Sequence, residues 1–85
     1  MLLTIDIGNT NITLGTFEDG KLTNHWRLAT DPARMPDEYG LQLLGLFRSS
    51  NLRPEELSDI VLASVVPPLT SHIQEACQDY LSKPS

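Results

Sequence analysis

The sequence predicts an α/β fold with a mixed sheet covered by helices and elements in the order β-β-β-α-β-α. Three observations predict this order. Two turn-rich connections divide the first 29 residues into three segments with strand-like alternation. A nearly continuous β-branched run begins at Ile60, and segments with helical spacing of apolar residues precede and follow it. Strands and helices in this order are typical of a sheet that mixes antiparallel and parallel pairs.

The first three strands are predicted as an antiparallel meander. Apolar residues alternate with other residues from Leu3 to Ile7, and this strand is expected to end near Asp6. Turn-forming residues 8–11 come next, and a second alternation over 12–17 predicts a returning strand. An Asp-Gly pair then predicts a tight hairpin, which leads into a third strand containing Leu22, Trp26 and Leu28.

The first helix is predicted to begin at Pro36, because proline suits the first turn and Asp37 and Glu38 favour the positive end of the helix dipole. Gly40 and Gly45 weaken this helix by up to about 1 kcal/mol each relative to alanine. The apolar stripe consists of Tyr39, Leu43, Leu44, Leu46 and Phe47. One further helical turn is expected over 54–57.

The run from Ile60 to Val66 predicts a strand buried on both faces of the sheet. Pro67 and Pro68 end this strand and begin the last helix. One face of that helix is apolar and carries Leu69, Ile73, Ala76, Cys77, Tyr80 and Leu81.

Composition excludes several classes of protein. The chain has 85 residues and a formal net charge of −5, and its few basic residues are scattered, so nucleic-acid binding is not expected. No apolar run approaches the roughly 20 residues that span a bilayer, and the N-terminus lacks the charge layout of a signal peptide. A single cysteine, Cys77, cannot form an internal disulfide. These features predict a cytoplasmic protein without a membrane partner.

The turn from Asp6 to Asn11 has the composition of a phosphate site. Gly8 lets backbone N–H groups approach an anion, and Asn9 and Thr10, like Asn11, offer side-chain donors to phosphate oxygens. Asp6 becomes useful when Mg²⁺ lies between the carboxylate and the phosphates. A plain hairpin turn, with Asp6 stabilising it, explains the same residues, because such residues dominate turns for conformational reasons.

Other patterns do not support a site. Residues 15–22 nearly match a phosphate-binding P-loop, but Leu22 replaces the required hydroxyl and Glu18 and Asp19 would repel phosphate. His25, His72 and Cys77 lack the close spacing of metal ligands.

Four separated segments together resemble the type III pantothenate kinases: LLTIDIGNTNITLGTF at the N-terminus, WRLATD, PDEYG at a helix start, and SVVPPL before the last helix. The resemblance extends over essentially the whole chain, in order and without gaps. It implies membership of the acetate and sugar kinase, Hsp70 and actin superfamily. Residues 1–85 would then form an N-terminal actin-like ATPase domain, a ribonuclease-H-like half-domain that is truncated and incomplete at its C-terminus.

The resemblance implies that this protein contributes to the phosphorylation of pantothenate by ATP, the first step of coenzyme A biosynthesis. It implies ATP with Mg²⁺ and a monovalent cation, K⁺ or NH₄⁺, as cofactors, and a cytoplasmic homodimer. Asp6 would position the metal. The implied nucleotide-binding residues are Asp6, Ile7, Gly8, Asn9, Thr10, Asn11, Ile12 and Thr13. The general-base Asp would lie beyond residue 85, so the resemblance implies no catalytic base within these residues and an 85-residue piece that is inactive alone.

Two alternatives remain open from the sequence. Another kinase of the same superfamily would share the hairpin, because that motif is common to the whole superfamily. A non-catalytic interaction module would use an open sheet edge to bind a partner strand.

Overall fold

The computed structural model describes residues 1–82, and it confirms the predicted order of elements. The elements are strands β1 (Leu2–Ile7), β2 (Asn11–Glu18) and β3 (Lys21–Ala29), helix α1 (Pro36–Ser49), strand β4 (Asp59–Ser64) and helix α2 (Pro67–Tyr80). A single 3₁₀ turn, Pro54–Glu56, precedes β4 at the place where one helical turn is predicted. No helix within residues 1–82 has the length and apolar character needed to cross a membrane.

The four strands form one mixed sheet in the spatial order β3-β2-β1-β4. β1 pairs antiparallel with β2, β2 pairs antiparallel with β3, and β1 pairs parallel with β4. The two short turns permit only antiparallel neighbours, whereas α1 supplies the long crossover that a parallel pair needs. Asp19 and Gly20 adopt positive φ angles of 51° and 77°, the conformation of the predicted Asp-Gly hairpin.

Both helices contribute to one core on one face of the sheet. Inward-facing residues of the strands alternate with exposed or half-buried ones, as period-2 patterning requires. Trp26 extends this core at β3, where its ring stacks on Phe47 with a centroid distance of 5.8 Å. The buried apolar residues are Leu3, Ile5, Ile7, Ile12, Leu14, Tyr39, Leu43, Phe47, Leu57, Ile60, Leu69, Ile73, Ala76, Cys77 and Leu81.

The prediction that the fourth strand is buried on both faces is wrong. β4 lies at the edge of the sheet, and only its inward residues, such as Ile60, are covered. The outward side chain of Val61 is 52% exposed, and Val65, just after the strand, is 66% exposed. We call the sheet surface opposite the helices the open face. A β-branched run favours a strand, but it does not reveal whether a second layer lies over its outer face.

The two helices approach each other at Gly40. A Cβ atom built on Gly40 would overlap Cδ1 of the Tyr80 ring. Tyr80 also donates a hydrogen bond of 2.9 Å from its hydroxyl to Oδ1 of Asp37. Gly40, predicted only as a weakening residue, therefore permits the close contact between α1 and α2.

Cys77 lies in the core on the inner side of α2, as predicted. Burial raises the pKa of its thiol from 9.0 to about 12. Above pH 9 the unfolded thiol loses its proton while the folded thiol keeps it, so the folded state binds more protons and stability falls as pH rises.

We therefore expect the free energy of unfolding to fall by about 1.4 kcal/mol between pH 8 and pH 10 on account of this thiol. Urea denaturation at both pH values measures the change. The Cys77→Ala variant should lose most of the pH dependence, although Tyr80 contributes in the same direction because its bond to Asp37 raises its pKa. An equal slope in the variant and the parent would show that the thiol is not responsible.

Candidate functional site

The candidate site is the turn that joins β1 to β2, together with the strand residues on either side of it. Gly8 donates a backbone hydrogen bond of 2.9 Å to the carbonyl oxygen of Asn11, which closes the turn. A Cβ atom on Gly8 would lie only 3.0 Å from that same oxygen. Glycine therefore allows the chain to reverse tightly here, and a larger residue would force the turn open.

Two neighbouring segments fix the turn from its sides. Thr30, just after β3, donates its backbone N–H to the carbonyl of Thr10 at 3.0 Å and its hydroxyl to the carbonyl of Gly8 at 2.7 Å. On the other side, the N–H of Val65 donates to the carbonyl of Ile7 at 3.0 Å. The turn is therefore held by both the segment after β3 and the segment after β4.

A buried tyrosine extends this support into the core. The Tyr39 hydroxyl donates to the carbonyl of Asp31 at 2.9 Å and accepts the Asp31 N–H at 3.1 Å. Asp31 directly follows Thr30, so the first turn of α1 restrains the same segment that holds the hairpin. No sequence pattern indicates a supporting role for Tyr39, and the one signal for Thr30 is its position directly after the predicted third strand.

The structure separates the predicted site residues into two groups. Ile7 and Ile12 are core residues with 0% and 1% exposure, so their side chains cannot contact a ligand. The other members are exposed or half-buried: Asp6, Gly8, Asn9, Thr10, Asn11 and Thr13. Any contribution of the two isoleucines to ligand binding would come from their backbone groups.

The polar side chains of the turn have no hydrogen-bond partner within residues 1–82. This holds for Asn9, Thr10 and Asn11, whose side chains all face solvent. In an ordinary Asx or Ser/Thr turn, such side chains bond to the nearby backbone and so stabilise the reversal. Here the backbone N–H and the hydroxyl of Thr30 stabilise the reversal instead. The side-chain donors of the turn are therefore available to a ligand.

Asp6 lies on the open face, beside small neighbours. It pairs with Thr13 on β2 and with Ala63 on β4, so the three residues form one row across the sheet. The Asp6 carboxylate forms no ion pair or hydrogen bond within the described part of the chain. Because neither neighbour is large, a hydrated cation can approach this carboxylate from the open face.

The rejected patterns remain without support in the structure. Residues 1–82 contain no cluster of three His, Cys, Asp or Glu residues able to hold a metal. Nδ1 of His72 lies 3.2 Å from the carbonyl oxygen of Arg34, a contact that ties α2 to the loop before α1. The near-match to a P-loop over 15–22 lies in β2, a tight turn and β3, so it leads into a strand and not into the helix that a P-loop needs.

A concave surface of the described part of the chain lies away from the turn between β1 and β2. A groove of about 460 Å³ lies at the C-terminal end of α1, lined by Leu44, Phe47, Arg48, Asn51, Leu52, Arg53 and Pro54. The candidate site is instead an exposed turn at the end of the two central strands, β1 and β2. Ligand binding at this site would therefore depend on the side-chain donors of the turn and on the Asp6 carboxylate, because these groups are exposed.

Known proteins are similar to this chain over nearly its whole length. A family model described as type III pantothenate kinase matches residues 2–85. The chain belongs to the type III pantothenate kinase family. Curated type III pantothenate kinases match 98% of the chain at 46% identity in Exiguobacterium sibiricum and at 48% identity in Anaeromyxobacter dehalogenans. The type III pantothenate kinase of Listeria welshimeri matches 96% of the chain at 43% identity.

The chain spans about a third of the length of these type III pantothenate kinases, since the matches cover 32% to 33% of each relative. The family match includes the hairpin, both helices and all four strands described above. The resemblance noted from four sequence segments is confirmed by these comparisons.

Proposed function

We propose that this chain supplies the ATP-phosphate-binding part of a kinase that phosphorylates pantothenate, the first step of coenzyme A biosynthesis. Two independent facts support the proposal. The family match covers residues 2–85. The single structural observation that carries it is the hairpin, which is fixed by Thr30 and whose side-chain donors have no hydrogen-bond partner within residues 1–82.

In this proposal, the side chains of Asn9, Thr10 and Asn11 donate to the phosphate oxygens of ATP. Phosphoryl transfer depends mainly on positioning and on neutralising charge, so a turn that already holds its shape loses little freedom on binding. Gly8 contributes by keeping the turn tight, because its N–H bonds to the carbonyl of Asn11 and a Cβ would crowd that oxygen. Ile7 and Ile12 contribute by anchoring both ends of the turn in the core.

Asp6 is proposed as the residue that positions Mg²⁺. The donor chemistry fits, because Mg²⁺ is commonly bound by one or two carboxylates together with substrate phosphates and water. Within residues 1–82, Asp6 provides one unpaired, accessible carboxylate beside the turn. When bound, the metal supplies positive charge against the β- and γ-phosphates. Thr13, next to Asp6 on the open face, is proposed to face the same ligand.

The remaining features of the proposal come from the resemblance alone. They are an actin-like ATPase domain over 1–85, a general-base Asp beyond residue 85, a K⁺ or NH₄⁺ cofactor, a homodimer and a cytoplasmic location. The base would accept the proton of the substrate hydroxyl as the phosphoryl group is transferred. Each stays a prediction.

The proposal is tested with protein expressed from the complete open reading frame that contains this sequence. We expect ATP-dependent phosphorylation of pantothenate, and no comparable activity with acetate or with sugars, in a coupled assay of ADP release. Preference for acetate or a sugar would assign the chain to another kinase of the superfamily. Absence of transfer to every acceptor would favour the non-catalytic module, with the open β4 edge as its binding surface.

A further inference from the structure

Arg27 occupies a position on the open face that the site described above does not use. The registers pair Asp6 with Thr13 and Thr13 with Arg27, so these residues form one row across β1, β2 and β3. Trp26 and Leu28, on either side of Arg27, face the core, and Arg27 itself is exposed. Its side chain therefore projects from the same face as the Asp6 carboxylate.

The spacing in this row suits a ligand that lies between the two charged residues. Neighbouring strands lie about 4.8 Å apart, so Asp6 and Arg27 are separated by about 10 Å across the sheet. Arg27 and Asp6 are not within ion-pair distance in the structure, although their charges are opposite. A phosphate group above Thr13 can thus contact the guanidinium on one side and a cation held by Asp6 on the other.

Arg27 also differs from the other basic residues that the structure describes. Arg34 is 3.9 Å from the carboxylate of Asp31 and covers the Tyr39 ring. Lys21 is the first residue of β3, at the opposite end of that strand from the candidate site. Arg48 lies in the last turn of α1, and Arg53 directly precedes the 3₁₀ turn. Arg27 is therefore the arginine that lies on the open face in register with Asp6. Within residues 1–82 its side chain forms neither an ion pair nor a hydrogen bond.

We propose that Arg27 binds the terminal phosphate of the nucleotide from the open face, opposite the cation held by Asp6. This inference rests on the proposed function. A guanidinium suits the task because it is always charged and can donate two parallel hydrogen bonds to phosphate oxygens. In a chain with a net charge of −5, a positive group beside the hairpin also offsets the repulsion between the protein and a polyanionic nucleotide.

The test compares the wild-type protein, from its complete open reading frame, with Arg27→Gln, Arg27→Lys and the matched control Arg48→Gln. The two glutamine variants remove the same charge from exposed positions, one in register with Asp6 on the open face and one in the last turn of α1. We expect Arg27→Gln to raise KM for ATP about 10-fold or more and to leave KM for pantothenate unchanged. Arg27→Lys should recover part of the loss, and Arg48→Gln should match the wild type.

The terminal phosphate gives a second, specific readout. Arg27→Gln should weaken competitive inhibition by a non-hydrolysable ATP analogue much more than inhibition by AMP. Equal KM for ATP in Arg27→Gln and Arg48→Gln would overturn the proposal, as would equal weakening of the analogue and AMP. If the wild type phosphorylates no pantothenate, the proposed function fails, whereas an active wild type with an unaffected Arg27→Gln variant overturns only this inference.

A measurement on the unmodified protein does not depend on the folding of any variant. Phenylglyoxal modifies exposed arginines, and peptide mass spectrometry measures the modification of each one. With MgATP present, we expect modification of Arg27 to slow several-fold while Arg48 and Arg53 react as before. Unchanged modification of Arg27 at saturating MgATP would overturn the proposal.

Discussion

Replacing Asp6 by Asn should lower kcat/KM for MgATP about 100-fold in the complete protein, with little change in stability. Asparagine keeps the size of the side chain and removes the charge that is proposed to hold the metal. Because Asp6 makes no ion pair or hydrogen bond within residues 1–82, the fold loses nothing when that charge is removed. The loss should appear as a weaker response to Mg²⁺, measured by titrating the metal at fixed ATP.

Asp19→Asn is the matched control for this variant. It makes the same chemical change at the other end of β2, in a turn where Asp19 has a φ of 51° that asparagine adopts readily. We expect the control to retain wild-type kinetics and a similar midpoint of thermal unfolding. An unchanged kcat/KM for MgATP in Asp6→Asn would contradict the proposed role of this carboxylate. The hairpin would then be interpreted as a plain turn without a metal-binding function.

Adding one methyl group to α1 should have opposite effects at its two glycines. At Gly40 the new Cβ would overlap the Tyr80 ring, and the contact includes Cγ, so the ring cannot simply swing its far end away. We expect a loss of about 1 to 3 kcal/mol from overpacking, offset in part by a gain of about 1 kcal/mol in helix propensity. At Gly45 nothing lies within 4 Å, so Gly45→Ala should gain that propensity alone.

Urea denaturation of both alanine variants measures this difference. The sign of the change in the free energy of unfolding, relative to the parent, tests the prediction. Gly40→Ala should be less stable than the parent, and Gly45→Ala more stable. If Gly40→Ala were stabilised as much as Gly45→Ala, the close packing of α1 against Tyr80 would be incorrect. The Tyr80→Ala background provides a further check, because removing the ring should remove the penalty at Gly40.

Local patterns were sufficient to predict most of the fold. Alternation over β1 and β2, the Asp-Gly turn, and Pro36 and Pro67 as helix starts all depend on neighbours close in the chain. The burial of β4 on both faces was predicted wrongly, because the same β-branched residues suit an edge strand with one covered face. The role of Gly40 was missed because Tyr80 lies 40 positions away and no local pattern connects them.

The residues of the candidate site could be predicted from the sequence, whereas the hydrogen bonds that fix the turn could not. Asp6, Gly8 and the three polar residues after it form one short segment, so the phosphate-site pattern is visible directly. The hydrogen bonds from Thr30 and from Tyr39 depend on how β3 and α1 pack near the turn. The alignment of Arg27 with Asp6 depends on the register of three strands, which local sequence patterns do not reveal.

The pairing of β1 with two very different partners also has a consequence for the order of folding. β1 meets β2 through a turn of only a few residues, whereas its parallel partner β4 begins 57 positions later in the chain, at the pair Leu2 and Asp59. Closing the longer loop requires the larger loss of chain entropy, so the local hairpin is expected to form first. The phosphate-binding turn would then acquire its shape early, and the β4 segment would dock onto a hairpin that already exists.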